Sequence, residues 1–186
     1  MRTRRTLRRE VGEVILSDHF VLVLTVLCFL LIWALYPHMA GRRNMANLLS
    51  NIWPLLVLVI GQMFVLIVGG IDLSQTSIMA VTSVLGAAIM ATHFDPAKFE
   101  HNPLWGVVFS EEGGLLAGSG WAVSAAIFVM LVVGVAIGFL NGLAVAKLRM
   151  PPFMVTLVSM SFFSGLAIYL TRSENIMYLP TSFITI

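Results

Sequence analysis

The sequence predicts an all-α integral membrane protein of about five transmembrane helices, with a helix break at Gly69-Gly70. Hydrophobic residues make up 59% of the 186 residues and charged residues only 11%, whereas soluble domains average about 25% charged. Long apolar runs alternate with short polar stretches, which is the pattern of a chain that crosses a bilayer repeatedly. The one cysteine in the sequence cannot form an intrachain disulfide.

A basic segment precedes the first apolar run. Five of the eleven Lys and Arg side chains lie within the first nine residues, and such a cluster orients a membrane protein with its N-terminus in the cytoplasm. Residues 1–19 are therefore predicted to form a cytoplasmic basic segment that lies at the bilayer surface and contacts anionic membrane lipid. Because the cations serve orientation and lipid contact, the chain is not predicted to bind nucleic acid.

The transmembrane region is predicted to extend over residues 20–171. Its apolar runs are long enough to cross a hydrocarbon core of about 30 Å as helices. Pro54 falls in the first two turns of the second predicted span, where a proline disturbs a helix least, and residues 37–47 are predicted to be a short polar connection. The predicted spans are Phe20–Tyr36, Leu48–Val68, Leu73–Ala91, Trp121–Ala144 and Pro152–Thr171.

Two long apolar runs meet at the hexapeptide Gly69-Gly-Ile-Asp-Leu-Ser74. Paired glycines permit a break in a helix, and a carboxylate that faced lipid at this depth would cost about 3 kcal/mol. Asp72 is therefore predicted to cap the third span, with Gln75 in the reciprocal capping-box position. Since a broken helix at membrane depth usually lines a cavity, Gly69, Gly70, Asp72 and Ser74 are candidate residues of a translocation pathway.

Two side-chain amides and three glycines within the spans are further candidates. Gln62 and Asn141 either hold helices together by hydrogen bonds or face a polar pathway, and both alternatives stay open. Gly134, Gly138 and Gly142 form one smooth stripe that is predicted to let another helix approach closely. The hydroxyl side chains of the fifth span are predicted to bond back to their own helix: Thr156, Ser159, Ser161 and Ser164.

Two polar segments are predicted to lie outside the cell. Residues 92–120 combine acidic side chains, two histidines, two prolines and five glycines, a composition typical of a solvent-exposed external loop. The eight-residue spacing of His93 and His101 fits no standard metal motif. Residues 172–186 are predicted to form an external tail, because an odd number of spans leaves the two termini on opposite sides of the membrane.

Catalytic and nucleotide-binding motifs are absent from the sequence. It contains no Gly-x-Ser-x-Gly, no Walker A, no His-Glu-x-x-His and no dinucleotide fingerprint. The chain is therefore predicted not to be an enzyme and to bind no metal or cofactor of its own. If it moves a solute uphill, the energy must come from another subunit.

Five short motifs occur in order along the chain, and together they resemble a known family. The motifs are Gly69–Ser74, Ser77–Ala80, Asn141–Arg149, Pro151–Leu157 and Ser164–Ala167. The series is similar to the inner-membrane permease subunits of bacterial ABC importers for monosaccharides of the ribose, xylose and galactose type. The resemblance implies a periplasmic sugar-binding protein, a second permease subunit in a homodimer or heterodimer, and a cytoplasmic ABC ATPase that uses ATP.

The sequence departs from that family in three places. Gln75-Thr76 stands where the family commonly has Val-Gly, and residues 92–120 are longer than the usual loop. The third departure is at Ile186, because family members continue with further spans and a loop that docks on the ATPase. The chain is therefore expected to correspond to the N-terminal part of such a permease. Two alternatives stay open: a permease for another small solute, such as a nucleoside, a signalling sugar or a branched-chain amino acid, and a truncated membrane remnant that does not transport.

Overall fold

A computed structural model of the protein describes residues 20–185. The predicted interfacial segment, residues 1–19, lies outside the described residues. Between residues 20 and 185 the regular structure is helical and no strand forms, which confirms the all-α prediction. A 3₁₀ turn covers Pro37–Ala40, and the α-helices are α1 (Phe20–Leu35), α2 (Arg42–Ile67), α3 (Gln75–Met90), α4 (Pro96–Phe99), α5 (Ala122–Ala146), α6 (Pro152–Thr171) and α7 (Thr181–Ile184).

Three of the described helices are long and apolar enough to cross a membrane, namely α2, α5 and α6. The helices α1 and α3 are also apolar but have only 16 residues each, about 24 Å at 1.5 Å per residue. The chain is thus a multi-pass membrane protein. A total of five spans stays a prediction.

The chain divides into two compact units, one up to Val57 and one from Leu58 onwards. In the first unit, α1 is apolar on all sides and buries none of its residues within the protein. An all-round apolar helix of this kind is suited to contact with lipid or with other membrane helices. The buried core and every candidate site residue belong to the second unit.

Helix α2 corrects the sequence prediction at its N-terminal end. It begins at Arg42 rather than at Leu48, so most of the predicted polar connection is the 3₁₀ turn and the first turns of this helix. Pro54 consequently lies in the helix interior and not in its first two turns. The polar residues after Gly41 include good helix formers, and a transmembrane helix can continue beyond the apolar run that predicts it.

The core of the second unit forms where α3 packs against α5 and α6. Its buried centre is Val81, Ile137 and Ala167, one residue from each helix. Gly86 allows α3 and α5 to approach closely, because a Cβ atom at this position would overlap the Met130 side chain of α5. Small residues let transmembrane helices pack closely in this way.

The predicted glycine stripe of α5 contacts another described helix at one of its three positions. A Cβ atom on Gly134 would lie 3.8 Å from Ile78 and 3.9 Å from Thr82, which is ordinary contact with α3. A Cβ atom on Gly138 or Gly142 would meet no heavy atom within 4 Å. The stripe therefore packs against α3 only at Gly134 and is open at its other two positions.

Residues 92–120 are not the simple solvent loop that the sequence predicted. Phe94, Phe99 and Phe109 are almost fully buried, with their ring centroids 4.5–5.8 Å apart. Ile176 and Leu179 from the C-terminal segment pack against this aromatic cluster. Aromatic burial of this kind stabilises a folded unit, here called the cap and defined as residues 92–120 with residues 173–185.

Polar contacts attach the cap to the C-terminal end of α6. The buried side chain of Asn102 donates to the Leu170 carbonyl oxygen at 2.7 Å and accepts from the Leu104 N–H at 2.9 Å. The guanidinium of Arg172 donates to the carbonyl oxygen of His101. The carbonyl oxygen of Leu170 lies in the last turn of α6, where carbonyl groups lack a partner within the helix. The bonds to Leu170 and His101 therefore join the cap to the helix end.

Candidate functional site

At the helix break, α2 ends in a C-terminal motif of the Schellman type. The Gly70 N–H donates to the Val65 carbonyl oxygen at 3.0 Å, and the Gly69 N–H donates to the Leu66 carbonyl oxygen at 2.9 Å. Gly69 has φ of +77°, the left-handed conformation that this motif requires and that glycine adopts without strain. The structure confirms the helix break predicted at Gly69-Gly70, and residues 70–74 form a non-helical stretch before α3.

The capping role predicted for Asp72 is wrong in its details. Helix α3 begins at Gln75 with Ser74 at its N-cap position, and no side chain caps it there. Asp72 Oδ1 instead accepts two bonds from Ser74, one from its N–H at 2.7 Å and one from its hydroxyl at 2.6 Å. This is an Asx turn, which competes with helix formation at such positions, so α3 starts two residues later than predicted.

Gln75 does not complete a capping box either. In the orientation that satisfies both ends of its side-chain amide, Gln75 donates to the Leu58 carbonyl oxygen at 2.9 Å and accepts from the Gln62 backbone N–H at 3.2 Å. These bonds join the last part of α2 to the first turn of α3 across the break. The two roles that the sequence left open for Gln62 both stay predictions.

Asn141 connects three segments through one amide group. Its Nδ2 donates to the Ser74 hydroxyl oxygen at 3.0 Å and to the Ser159 hydroxyl oxygen at 3.1 Å. The hydroxyl of Ser74 in turn donates a hydrogen bond to Asp72 Oδ1. Asn141 on α5 is thus bonded to the start of α3 and to the middle of α6, and it holds the carboxylate of Asp72 in place through Ser74.

The N-terminal turns of α6 support the non-helical stretch from the other side. The hydroxyl of Thr156 lies 3.2 Å from the carbonyl oxygen of Ile71 and 2.9 Å from that of Pro152. A Cβ atom on Gly70 would lie 3.6 Å from Pro152, so the backbone at Gly70 packs directly on this proline. Irregular backbone at membrane depth needs such internal partners because lipid supplies none.

A cavity of about 470 Å³ lies between the break, α5 and α6. Its size is within the range of about 300–1,000 Å³ that is usual for small-molecule sites. Most of the lining is apolar, and no cationic side chain is among the residues described around it. The lining residues are Val65, Val68, Gly70, Ile71, Asp72, Gly138, Asn141, Gly142, Val145, Ala146, Pro152 and Thr156.

The structure brings most of the predicted site residues together and leaves one apart. Gly70, Asp72 and Asn141 line the cavity, Ser74 links the latter two, and Gly69 ends the helix beside them. Gln62 is not part of the cavity lining. Gly138 and Gly142 of the predicted packing stripe line the cavity, and close packing at these two positions stays a prediction.

Sequence reasoning missed the part that two hydroxyl residues of α6 play in the site. Ser159 was predicted to bond to its own helix but accepts from Asn141, and Thr156 bonds to its own helix and to Ile71. Positions three residues apart share a helix face, so this pair could have been identified as facing a polar partner. Ser161 follows the prediction, with its hydroxyl bonded to the carbonyl oxygen of Leu157.

Comparison with known proteins gives one family and a consistent group of relatives. The family described as branched-chain amino acid transport system / permease component matches residues 44–182. The inner membrane ABC transporter permease protein YjfF of Escherichia coli is 30% identical over 151 residues, which are 81% of this chain and 38% of that protein. No solved structure gives a significant match.

Two further relatives are named for specific sugars. The xylose transport system permease protein XylH of Escherichia coli is 28% identical over 88% of this chain and 35% of its own length. The ribose import permease protein RbsC of Haemophilus influenzae is 23% identical over 95% of this chain and 46% of its own length. The chain thus spans less than half the length of these curated relatives, and they confirm its resemblance to sugar ABC permeases.

The family match covers α3, α5, α6 and nearly all of α2, and it includes every residue of the helix break and the cavity. The chain therefore belongs to the family of ABC transporter permeases described as branched-chain amino acid transport system / permease component.

Proposed function

We propose that this chain forms part of the membrane pathway of an ABC importer and translocates a monosaccharide. In this proposal a periplasmic binding protein delivers the sugar, and a separate cytoplasmic ATPase supplies the energy from ATP. A second permease subunit, identical or different, completes the pathway. The chain itself binds no cofactor and lies in the inner membrane with its N-terminus in the cytoplasm.

The observation that carries the proposal is the polar helix break beside an open cavity. Asp72 and Asn141 place a charged and a polar group within the membrane-spanning bundle. Such groups are costly in lipid, and where they occur they usually mark a substrate or ion pathway. Broken helices at membrane depth form binding and translocation sites in many transporters. The cavity on this break is large enough for a small solute.

A monosaccharide is favoured over a branched-chain amino acid by the side chains of this cavity. An amino acid is a zwitterion, and although Asp72 could pair with its ammonium group, no cationic side chain is among the residues described around the cavity to pair with its carboxylate. A sugar carries hydroxyl groups, which can donate to a carboxylate or amide oxygen. The names of XylH and RbsC, a xylose and a ribose permease, support the same choice.

Deletion of the gene in its host, with uptake as the readout, tests the proposal. Uptake of radiolabelled D-xylose, D-ribose and L-leucine is compared in the wild type, the deletion strain and the complemented strain. We expect loss and recovery of uptake for at least one sugar and no change for leucine. Recovery of leucine uptake alone would favour the amino acid alternative, and unchanged uptake of all three solutes would contradict a transport role for these substrates.

Co-purification addresses the partners separately. The affinity-tagged chain is isolated from host membranes in mild detergent, and retained proteins are identified by mass spectrometry. We expect an ATPase of the ABC class among them. If the chain complements uptake but retains no such ATPase, the proposed energy source is wrong; if it neither complements nor retains one, the alternative of a membrane remnant is favoured.

A further inference from the structure

We propose that the cavity at the helix break is a solute-contact site, where Asp72 and Asn141 accept hydrogen bonds from the hydroxyl groups of a neutral sugar. The inference rests on the proposed function, since it locates the sugar within the permease. It also assigns Asp72 a role beyond helix capping, which the structure does not support.

The side chains of Asp72 and Asn141 each keep one oxygen atom without a protein partner. Ser74 bonds only to Oδ1 of Asp72, and the two bonds of Asn141 both come from Nδ2. Within residues 20–185 no hydrogen bond reaches Oδ2 of Asp72 or Oδ1 of Asn141. Both residues line the cavity, and we infer that each offers its free oxygen as an acceptor to a molecule inside it.

The bonds that these side chains already make also hold them in place. The carboxylate of Asp72 is bonded twice to Ser74, and Ser74 is bonded to Asn141, which is bonded to Ser159. Four groups therefore fix one another across α3, α5 and α6. Acceptors that are positioned before the ligand arrives lose little conformational entropy when it binds.

The chemistry of the lining selects a class of ligand. Two acceptor oxygens favour a ligand with several donors, and a carboxylate repels anionic solutes. The side chains of Val65, Val68 and Val145 add apolar walls, which suit the C–H faces of a sugar ring. The expected ligand is thus neutral, rich in hydroxyl groups and of monosaccharide size.

Two positions in the cavity allow the site to be changed without disturbing the helices. Asp72→Asn removes the charge but keeps an oxygen that can accept from the Ser74 N–H. Gly142→Leu fills the cavity from α5, where a Cβ atom meets no heavy atom within 4 Å. Gly165→Leu is the matched control, because Gly165 on α6 has equally open surroundings but does not line the cavity.

The test measures sugar binding to the purified full chain in lipid nanodiscs by saturation-transfer-difference NMR. The probes are D-xylose, D-ribose and D-galactose, with permethylated D-xylose as a ligand that has no hydroxyl donors. We expect at least one free sugar to bind and the permethylated sugar not to bind. Asp72→Asn should weaken binding roughly fivefold or more, because a charged acceptor is lost, and Gly142→Leu should abolish it.

Equal binding by wild type, Asp72→Asn and Gly142→Leu would overturn the proposal, as would binding of no sugar by the wild type or equal binding of the permethylated sugar. Should Asp72→Asn fail to fold, the comparison of Gly142→Leu with Gly165→Leu still tests the proposal, which requires sugar binding to be lost in the first variant and kept in the second. If the sugar binds in this manner but the host does not require the gene for uptake, the proposed function fails alone. If uptake requires the gene but both cavity variants transport normally, the contact site fails alone.

Discussion

The side-chain amide of Asn141 on α5 donates a 3.0 Å hydrogen bond to the hydroxyl oxygen of Ser74, the residue immediately before α3. Ser74 in turn donates to Asp72, so the direction of donation runs from the amide to the carboxylate. This direction is fixed, because the Asn141 amide nitrogen can only donate and the Asp72 carboxylate can only accept.

Because the donation runs from Asn141 to Asp72, we expect Asn141→Asp alone to lower stability and the simultaneous exchange of both residues to restore much of it. Asn141→Asp should destabilise the protein by about 1–3 kcal/mol, because two carboxylates then compete for the single proton of the Ser74 hydroxyl. The double variant Asp72→Asn/Asn141→Asp should recover much of this loss, since both serine hydroxyls can rotate and donate to the new carboxylate. Thermal unfolding in detergent measures both effects.

The control for this exchange is Ser161→Ala on α6, whose hydroxyl bonds only to the carbonyl oxygen of Leu157 and is exposed. It should leave the unfolding temperature almost unchanged. A double variant no more stable than Asn141→Asp would show that the hydrogen-bond direction does not matter.

Gly69 at the helix break and Gly142 on α5 should respond differently to substitution. Gly69→Ala should cost about 1–2 kcal/mol, because its φ of +77° is strained for any residue with a Cβ, whereas Gly69→Asn should cost less since asparagine tolerates this region. Gly142→Ala, in a helix with open surroundings, should stabilise by up to about 1 kcal/mol. Equal unfolding temperatures for Gly69→Ala and Gly69→Asn would contradict the assigned helix end.

The contact between Gly86 and Met130 predicts that one substitution can rescue another. Gly86→Ala should destabilise by about 1 kcal/mol, because the overlap with the methionine side chain is partly relieved by movement of that flexible side chain and partly offset by the higher helix propensity of alanine. Shortening the partner by Met130→Ala should make the two changes non-additive, with an interaction free energy that relieves the clash. A double-mutant cycle of unfolding free energies measures this term, and Gly134→Ala, which meets only ordinary contacts, is the reference. If the unfolding free-energy changes of the two single variants simply add up in the double variant, Gly86 and Met130 are not in contact.

The attachment of the cap to α6 can be measured by proteolysis. Asn102→Asp removes the donor to the Leu170 carbonyl oxygen but keeps the acceptor for the Leu104 N–H. It should loosen the cap and accelerate tryptic cleavage after Lys98 several-fold, because cleavage requires local opening. Glu112→Gln, an exposed change in the same cap, should cleave at the wild-type rate. An unchanged rate for Asn102→Asp would mean that this bond does not hold the cap.

Prediction from sequence succeeded where a single segment contains the whole signal. The bounds of α6 agree with the fifth predicted span, and the break at Gly69-Gly70 agrees because a paired glycine between apolar runs needs no distant partner to be recognised. It failed at the start of α2, where polar residues continue the helix, and in residues 92–120, where three phenylalanines separated in sequence form one buried cluster.

By itself, the sequence determined that this protein is helical, lies in the membrane and carries a helix break marked by Asp72, because these properties follow from local composition and backbone freedom. Only the tertiary structure decided what the break does. Ser74, Asn141 and Ser159 are far apart in sequence and meet only when α3, α5 and α6 pack. The competition between a helix cap and an Asx turn at Asp72 depends on these partners, and so does the cavity that Gly138 and Gly142 leave open.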